Sequence, residues 1–144
     1  MLLTDKTAIV YGAGGSIGGA VARAFAAEGA RVHLVGRTRE TLEAVAADLK
    51  DAEVAVVDAL DETAVEEHLA RVGEVDVSFN LVTRGDVQGA PLTDMAVDDV
   101  LRPVINGVRH NFVTHAAAGL RARGRVHGVA RTLTGLEADG WITR

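Results

Sequence analysis

The chain has 144 residues, 48% of them apolar and 24% charged, and a formal net charge of −5. That length holds one domain with a sizeable core, the acidic balance gives no reason to expect a nucleic-acid partner, and the lack of cysteine removes disulfides, a thiol nucleophile and thiolate metal ligands. The opening MLLTDKT lacks the basic and long apolar regions of a secretory signal, and no apolar run reaches spanning length, so a cytoplasmic protein with no membrane partner is expected.

Thr7–Tyr11 (TAIVY) is a short apolar run stopped by glycines and reads as a buried strand. Ile17–Glu28 carries Ile17, Val21, Ala24 and Phe25 at helical spacing, and Gly29 closes it. Arg31–Val35 is a second strand. Thr38 is a candidate N-cap for a helix reaching about Lys50, with Leu42, Val45, Ala46 and Leu49 on one face. Glu53–Val57 is a third strand, Asp61 caps a helix through Arg71, and Val75–Leu81 is a fourth strand. After a polar loop, Asp98–Arg123 is helical again, with a kink or a short leading helix expected at Pro103. Arg125–Ala130 is a candidate fifth strand. The alternation predicts an α/β fold, a Rossmann-like doubly wound parallel sheet of about five strands in the order 3-2-1-4-5. A dinucleotide-binding domain is expected over residues 1–123, with the fifth strand and an atypical tail over 124–144.

The stretch YGAGGSIGG joins the first strand to the first helix. A strand, a glycine turn and a helix N-terminus make a phosphate site, because the first helical N–H groups are unsatisfied and the helix dipole favours an anion. Gly12 permits the sharp exit from the strand. Gly14 and Gly15 let a pyrophosphate approach the backbone, and Gly18 lets the helix pack on the strand. At the end of the second strand an NAD site carries a carboxylate for the ribose 2′-hydroxyl. Here that place reads Gly36 and then Arg37, so a guanidinium meets a 2′-phosphate and NADP is favoured over NAD. The missing acid also argues against a methyltransferase site.

These motifs resemble the short-chain dehydrogenase/reductase family. AIVYGAGGSIGG is similar to its T-G-x-x-x-G-I-G block, matching at Gly12, Ile17 and Gly18, with Tyr11 for Thr and Ser16 for the middle Gly. The resemblance implies a phosphate contact for Ser16. VVDALD places Asp58 where the family contacts the adenine amino group, and VDVSFNLVT places Asn80 at a strand end near the adenosine ribose; an Asn bonding neighbouring backbone is the alternative. RPVINGVRHNFVTHAAAGL is similar to the long helix carrying a catalytic Asn. Asn106 is the candidate, although aligning Phe112 and Val113 puts Gly107 there. In the family that helix is commonly buried in a dimer interface, which implies a homo-oligomer through residues 98–123.

The family's acid/base is a Tyr with a Lys four residues on. This sequence has one tyrosine, Tyr11, and its lysines are Lys6 and Lys50, so that pair is absent. The expectation is a truncated, catalytically incomplete oxidoreductase that binds NADP(H), with no assigned catalytic residue beyond the candidate Asn106. The alternative is a non-catalytic nucleotide-binding or protein-interaction module. No two of His33, His68, His110, His115 and His127 have H-x-x-x-H spacing, so no metal site is expected.

Overall fold

The computed structural model describes residues 1–83 and 85–119. Four strands, β1 (Thr7–Tyr11), β2 (Arg31–Gly36), β3 (Ala52–Val56) and β4 (Val77–Asn80), form a parallel sheet in the order β3-β2-β1-β4. The helices are α1 (Ser16–Ala27), α2 (Arg39–Ala46), α3 (Glu62–Val72) and α4 (Val97–Gly119). The four-strand order is that of the sequence reading. The expected fifth strand at Arg125–Ala130 and the rest of the tail lie outside the described residues.

β1 is central because both of its faces are apolar. Ala8 and Val10 enter one core with Val32, Leu34, Ala22 and Leu42, under α1 and α2. Ile9 and Tyr11 enter the other with Val35, Val65, Leu69 and Val113, under α3 and α4. A strand covered on both sides reads as a continuous hydrophobic run, which TAIVY does. Phe25 of α1 meets Phe79 of β4 edge to face, with ring centroids 6.1 Å apart.

The amino end of the sheet is tied by one carboxylate. Lys6 Nζ lies 2.8 Å from Asp76 Oδ1, the Thr7 N–H donates to Asp76 Oδ2 at 2.9 Å, and the Asp76 N–H donates to the Thr7 carbonyl at 3.0 Å. This fixes β4 beside β1 at the point where their pairing starts.

The ends of α1 and α3 follow the sequence, α2 ends early, and the expected end of α4 at Arg123 lies outside the described residues. Gly29, at φ +92°, terminates α1, and Asp61 caps α3 by accepting the Ala64 N–H at 3.0 Å. Thr38 occupies the N-cap of α2 but makes no capping bond; instead the Thr41 hydroxyl donates back to the Thr38 carbonyl at 2.9 Å. The regular part of α2 ends at Ala46, short of Lys50. Pro103 does not divide α4, which runs unbroken across it. The proline lacks the N–H that would bond the Asp99 carbonyl one turn back. A single 3₁₀ turn, Leu92–Asp94, lies ahead of α4 within the stretch read as a polar loop. Among the described residues no helix is long and apolar enough to cross a membrane.

Candidate functional site

The site is built where β1 gives way to α1. Gly12 turns the chain at φ +79°, and a Cβ on it would stand 2.6 Å from the Leu81 carbonyl oxygen. The N–H groups of Gly12 and Ala13 donate to the Val35 carbonyl at 2.8 and 3.2 Å, pinning the exit of β1 to β2. A Cβ on Gly18 would lie 2.1 Å from the Gly12 carbonyl oxygen, so α1 packs on the strand exit only because position 18 has no side chain. Gly15 is the N-cap of α1, and its missing Cβ would meet nothing closer than 3.5 Å. No side chain caps that end, so the first-turn amides of Ser16, Ile17 and Gly18 remain for an anion.

The sequence treats Gly14 and Gly15 alike, and the structure separates them. A Cβ on Gly14 would fall 2.3 Å from Thr41 Oγ1, so the threonine of α2 fills the space beside the loop. Gly15 alone keeps an open face.

One cleft of about 200 Å³ brings together Gly12, Gly14, Gly15, Arg37 and Asp58. Thr38 and Thr41 close one side of it, and Leu81, Val82 and Thr83 follow β4 along the other. Arg37 is exposed, and among the described residues no hydrogen bond or ion pair engages its guanidinium. Asp58 is exposed too, with Oδ1 accepting the Leu60 N–H at 3.0 Å in a turn that presents the carboxylate at the end of β3. Ser16, Ile17 and Gly18 stand at the start of α1 beside this cleft rather than on its wall.

Asn80 faces away from the cleft. Its Oδ1 accepts the Val82 N–H at 2.9 Å, while Nδ2 donates to Thr114 Oγ1 at 2.9 Å, His110 Nδ1 at 3.1 Å and the His110 carbonyl at 3.2 Å. It fastens the end of β4 to α4, which sets the course of Leu81–Thr83 past the cleft. Asn106 is half-buried on α4 near Gly85, outside the cleft, and Gly107 is buried against the fold. Tyr11 is fully buried, its hydroxyl has no hydrogen-bond partner among the described residues, and burial pushes its pKa above the usual phenol range. It is therefore a core residue under the loop rather than an acid facing a substrate.

The sequence reading did not assign Thr38, Thr41, Leu81, Val82 or Thr83 to the site. Thr41 had a local signal, three residues after another threonine at a helix start; the other contacts arise only from strand order.

The family model for short chain dehydrogenase matches residues 6–126. An uncharacterised oxidoreductase of Staphylococcus aureus is 38% identical over 104 residues, covering 68% of this chain and 44% of that protein. A short chain dehydrogenase from Burkholderia cenocepacia, solved in complex with NADP, is 29% identical with a TM-score of 0.74, over 87% of this chain and 54% of that one. A dehydrogenase/reductase from Sinorhizobium meliloti is 30% identical with a TM-score of 0.73, over 85% and 51%. The chain thus spans about half the length of the proteins it matches.

The loop geometry gives an ordered expectation for two alanine substitutions. Gly18→Ala forces the helix off the Gly12 carbonyl and should cost about 3 kcal/mol, the upper range for overpacking. Gly15→Ala meets open space and should cost only the N-cap preference, about 1 kcal/mol. Urea unfolding of both variants checks the order; equal losses would refute the packing role of Gly18.

Proposed function

The chain belongs to the short chain dehydrogenase family, and from that membership we propose that it binds NADP(H) across the glycine loop without itself completing the hydride-transfer machinery. The observation that carries this reading is the single cleft shared by Gly12, Gly14, Gly15, Arg37 and Asp58. The residues fit the cofactor. The uncapped first turn of α1 and the open face of Gly15 suit a pyrophosphate, with the Ser16 hydroxyl and the Ser16, Ile17 and Gly18 amides as donors. Arg37 suits a 2′-phosphate because β2 ends in Gly36 rather than in an acid. Asp58, lining the same cleft, suits the adenine amino group. The NADP held by the Burkholderia neighbour is consistent with this choice over NAD.

Bound NADPH would supply a hydride, but the proton has no evident donor among these residues. The only tyrosine is buried. Lys6 is ion-paired to Asp76 at the amino end of the sheet, away from the cleft. Asn106 does not reach the cleft lining. These positions support a cofactor-binding protein of oxidoreductase descent.

A second reading, a nucleotide-binding interaction module, is favoured by α4. Val104, Val108 and Phe112 are 61%, 55% and 68% exposed along one side of that helix. A contiguous apolar face of this kind suits a second copy of the chain.

Three outcomes follow. Arg37→Ala should weaken NADPH about 10- to 100-fold, the value of a charge-assisted contact, and leave NADH nearly unchanged, as read by nucleotide fluorescence titration. Equal losses would remove Arg37 from the 2′-phosphate. Ketones, aldehydes and quinones with NADPH should give no protein-dependent loss of cofactor absorbance, and turnover that persists through further purification would overturn the incomplete-site reading. Light scattering should show mass rising with concentration, and Phe112→Asp should lower it; a wild-type monomer at all concentrations would reject the α4 interface.

A further inference from the structure

Among the described residues no strand lies beyond β3, so β3 is an outer edge of the sheet. In a ladder, alternate residues turn their backbone groups to the neighbouring strand and the others turn theirs away. The Asp51 carbonyl accepts the Val32 N–H at 3.1 Å, and the Val57 N–H donates to the Gly36 carbonyl at 2.9 Å, so residues 51, 53, 55 and 57 face β2. Ala52, Val54 and Val56 therefore turn their N–H and C=O groups outward, and no hydrogen bond among the described residues reaches them. Nothing in AEVAV blunts this edge, which has no proline and no lysine. Its one charge, Glu53, is held by Arg31 of β2.

A groove of about 380 Å³ lies along the same edge. It is lined by residues 53–57 and by two buried histidines, His33 of β2 and His68 of α3, whose rings stand edge to face with centroids 6.0 Å apart. Two exposed arginines complete the lining, Arg39 at the start of α2 and Arg71 in the last turn of α3. Arg71 makes no hydrogen bond or ion pair among the described residues. Arg39 meets Glu43 of its own helix at 3.5 Å, an exposed pair of the kind that contributes little.

We propose that an extended acidic peptide segment adds to the outer edge of β3 as a further strand, with its carboxylates against Arg39 and Arg71. A row of outward N–H and C=O groups at every second residue is the template that an extended chain matches. Such a chain sends every second side chain to the groove side of the sheet. The groove offers those side chains two guanidiniums, while its own carboxylate is already held by Arg31. A second copy of β3 fits less well, because its single acid is held in the same way and it brings two more arginines to the same place.

The test is titration of the full chain, without nucleotide, with a capped and labelled Glu-Val-Glu-Val-Glu-Val peptide and with its Lys-Val counterpart. Expected are saturable fluorescence anisotropy with the acidic peptide, binding about tenfold weaker with the basic one, and loss of affinity as salt rises. Bound peptide should slow hydrogen exchange at the Val54 and Val56 amides. Arg39→Gln and Arg71→Gln, both at exposed positions, should each weaken binding about two- to fivefold. Val54→Pro removes an outward N–H without touching the ladder to β2 and should weaken binding by about the same factor. If that variant does not fold, the arginine variants decide. No saturation at millimolar peptide, equal binding of the basic peptide, or undiminished affinity in Arg71→Gln would overturn the proposal. So would Val54 and Val56 amides already protected without peptide, the sign of a second copy or another part of the chain on this edge.

Discussion

The Gly12 carbonyl oxygen is the point about which the rest of the molecule is arranged. It accepts the Gly15 N–H at 3.2 Å and lies 2.1 Å from where a Cβ on Gly18 would stand. The first turn of α1 is thus wrapped around a single peptide group at the end of β1. That closeness sets the direction of the helix, and with it the direction in which its unsatisfied amides point. It also sets the depth of the cleft, because Leu81 passes on the other side of the same turn, in contact with the space that Gly12 leaves open. A parallel sheet collects its strand ends at one edge, and this packing turns the uncapped amides of α1 toward that edge.

The two ends of the sheet are accordingly built from different materials. At the amino end, side-chain charge does the fastening, with Asp76 holding both Lys6 and the Thr7 amide. At the carboxyl end, backbone contacts and missing side chains do it, and the charged groups, Arg37 and Asp58, project to solvent from the ends of β2 and β3. Charges that are not spent on the fold are the ones available to a ligand. The same distinction explains why Asn80, polar and next to the cleft, is not one of its walls: its bonding capacity is consumed by Val82 and α4.

The parts of this arrangement that were legible in the sequence are local. The glycine turn, the strand before it and the helix after it lie within one short stretch, and apolar alternation placed all four described strands to within two residues of their ends. Asp61 was legible as a cap because its partner is three residues away. Thr38 looked equally suitable, yet the Thr41 hydroxyl takes its carbonyl and no capping bond forms. Helical pattern alone does not reveal whether a threonine at the N-cap turns its hydroxyl onto the first-turn amides. The division of labour between Gly14 and Gly15 was hidden, since it depends on a side chain from α2. His33 and His68 were hidden for the same reason: burial of a histidine in one element against another leaves no periodic trace.

The Asn80 junction has a polarity that restricts what could replace it. The Val82 N–H must face an oxygen, which fixes the amide so that its nitrogen points at His110 and Thr114. A side-chain amide nitrogen can only donate, so where His110 Nδ1 shares in this bond it does so as a bare acceptor. Aspartate has the same shape but would set a carboxylate oxygen against the His110 carbonyl, and would accept from Thr114 Oγ1 and His110 Nδ1 only if the hydroxyl left that carbonyl and the ring proton sat on Nδ1. Glutamine has the same chemistry on a longer arm. Turning this single amide into a carboxylate would therefore leave the volume of the joint unchanged while forcing a hydroxyl and a ring proton to rearrange around it.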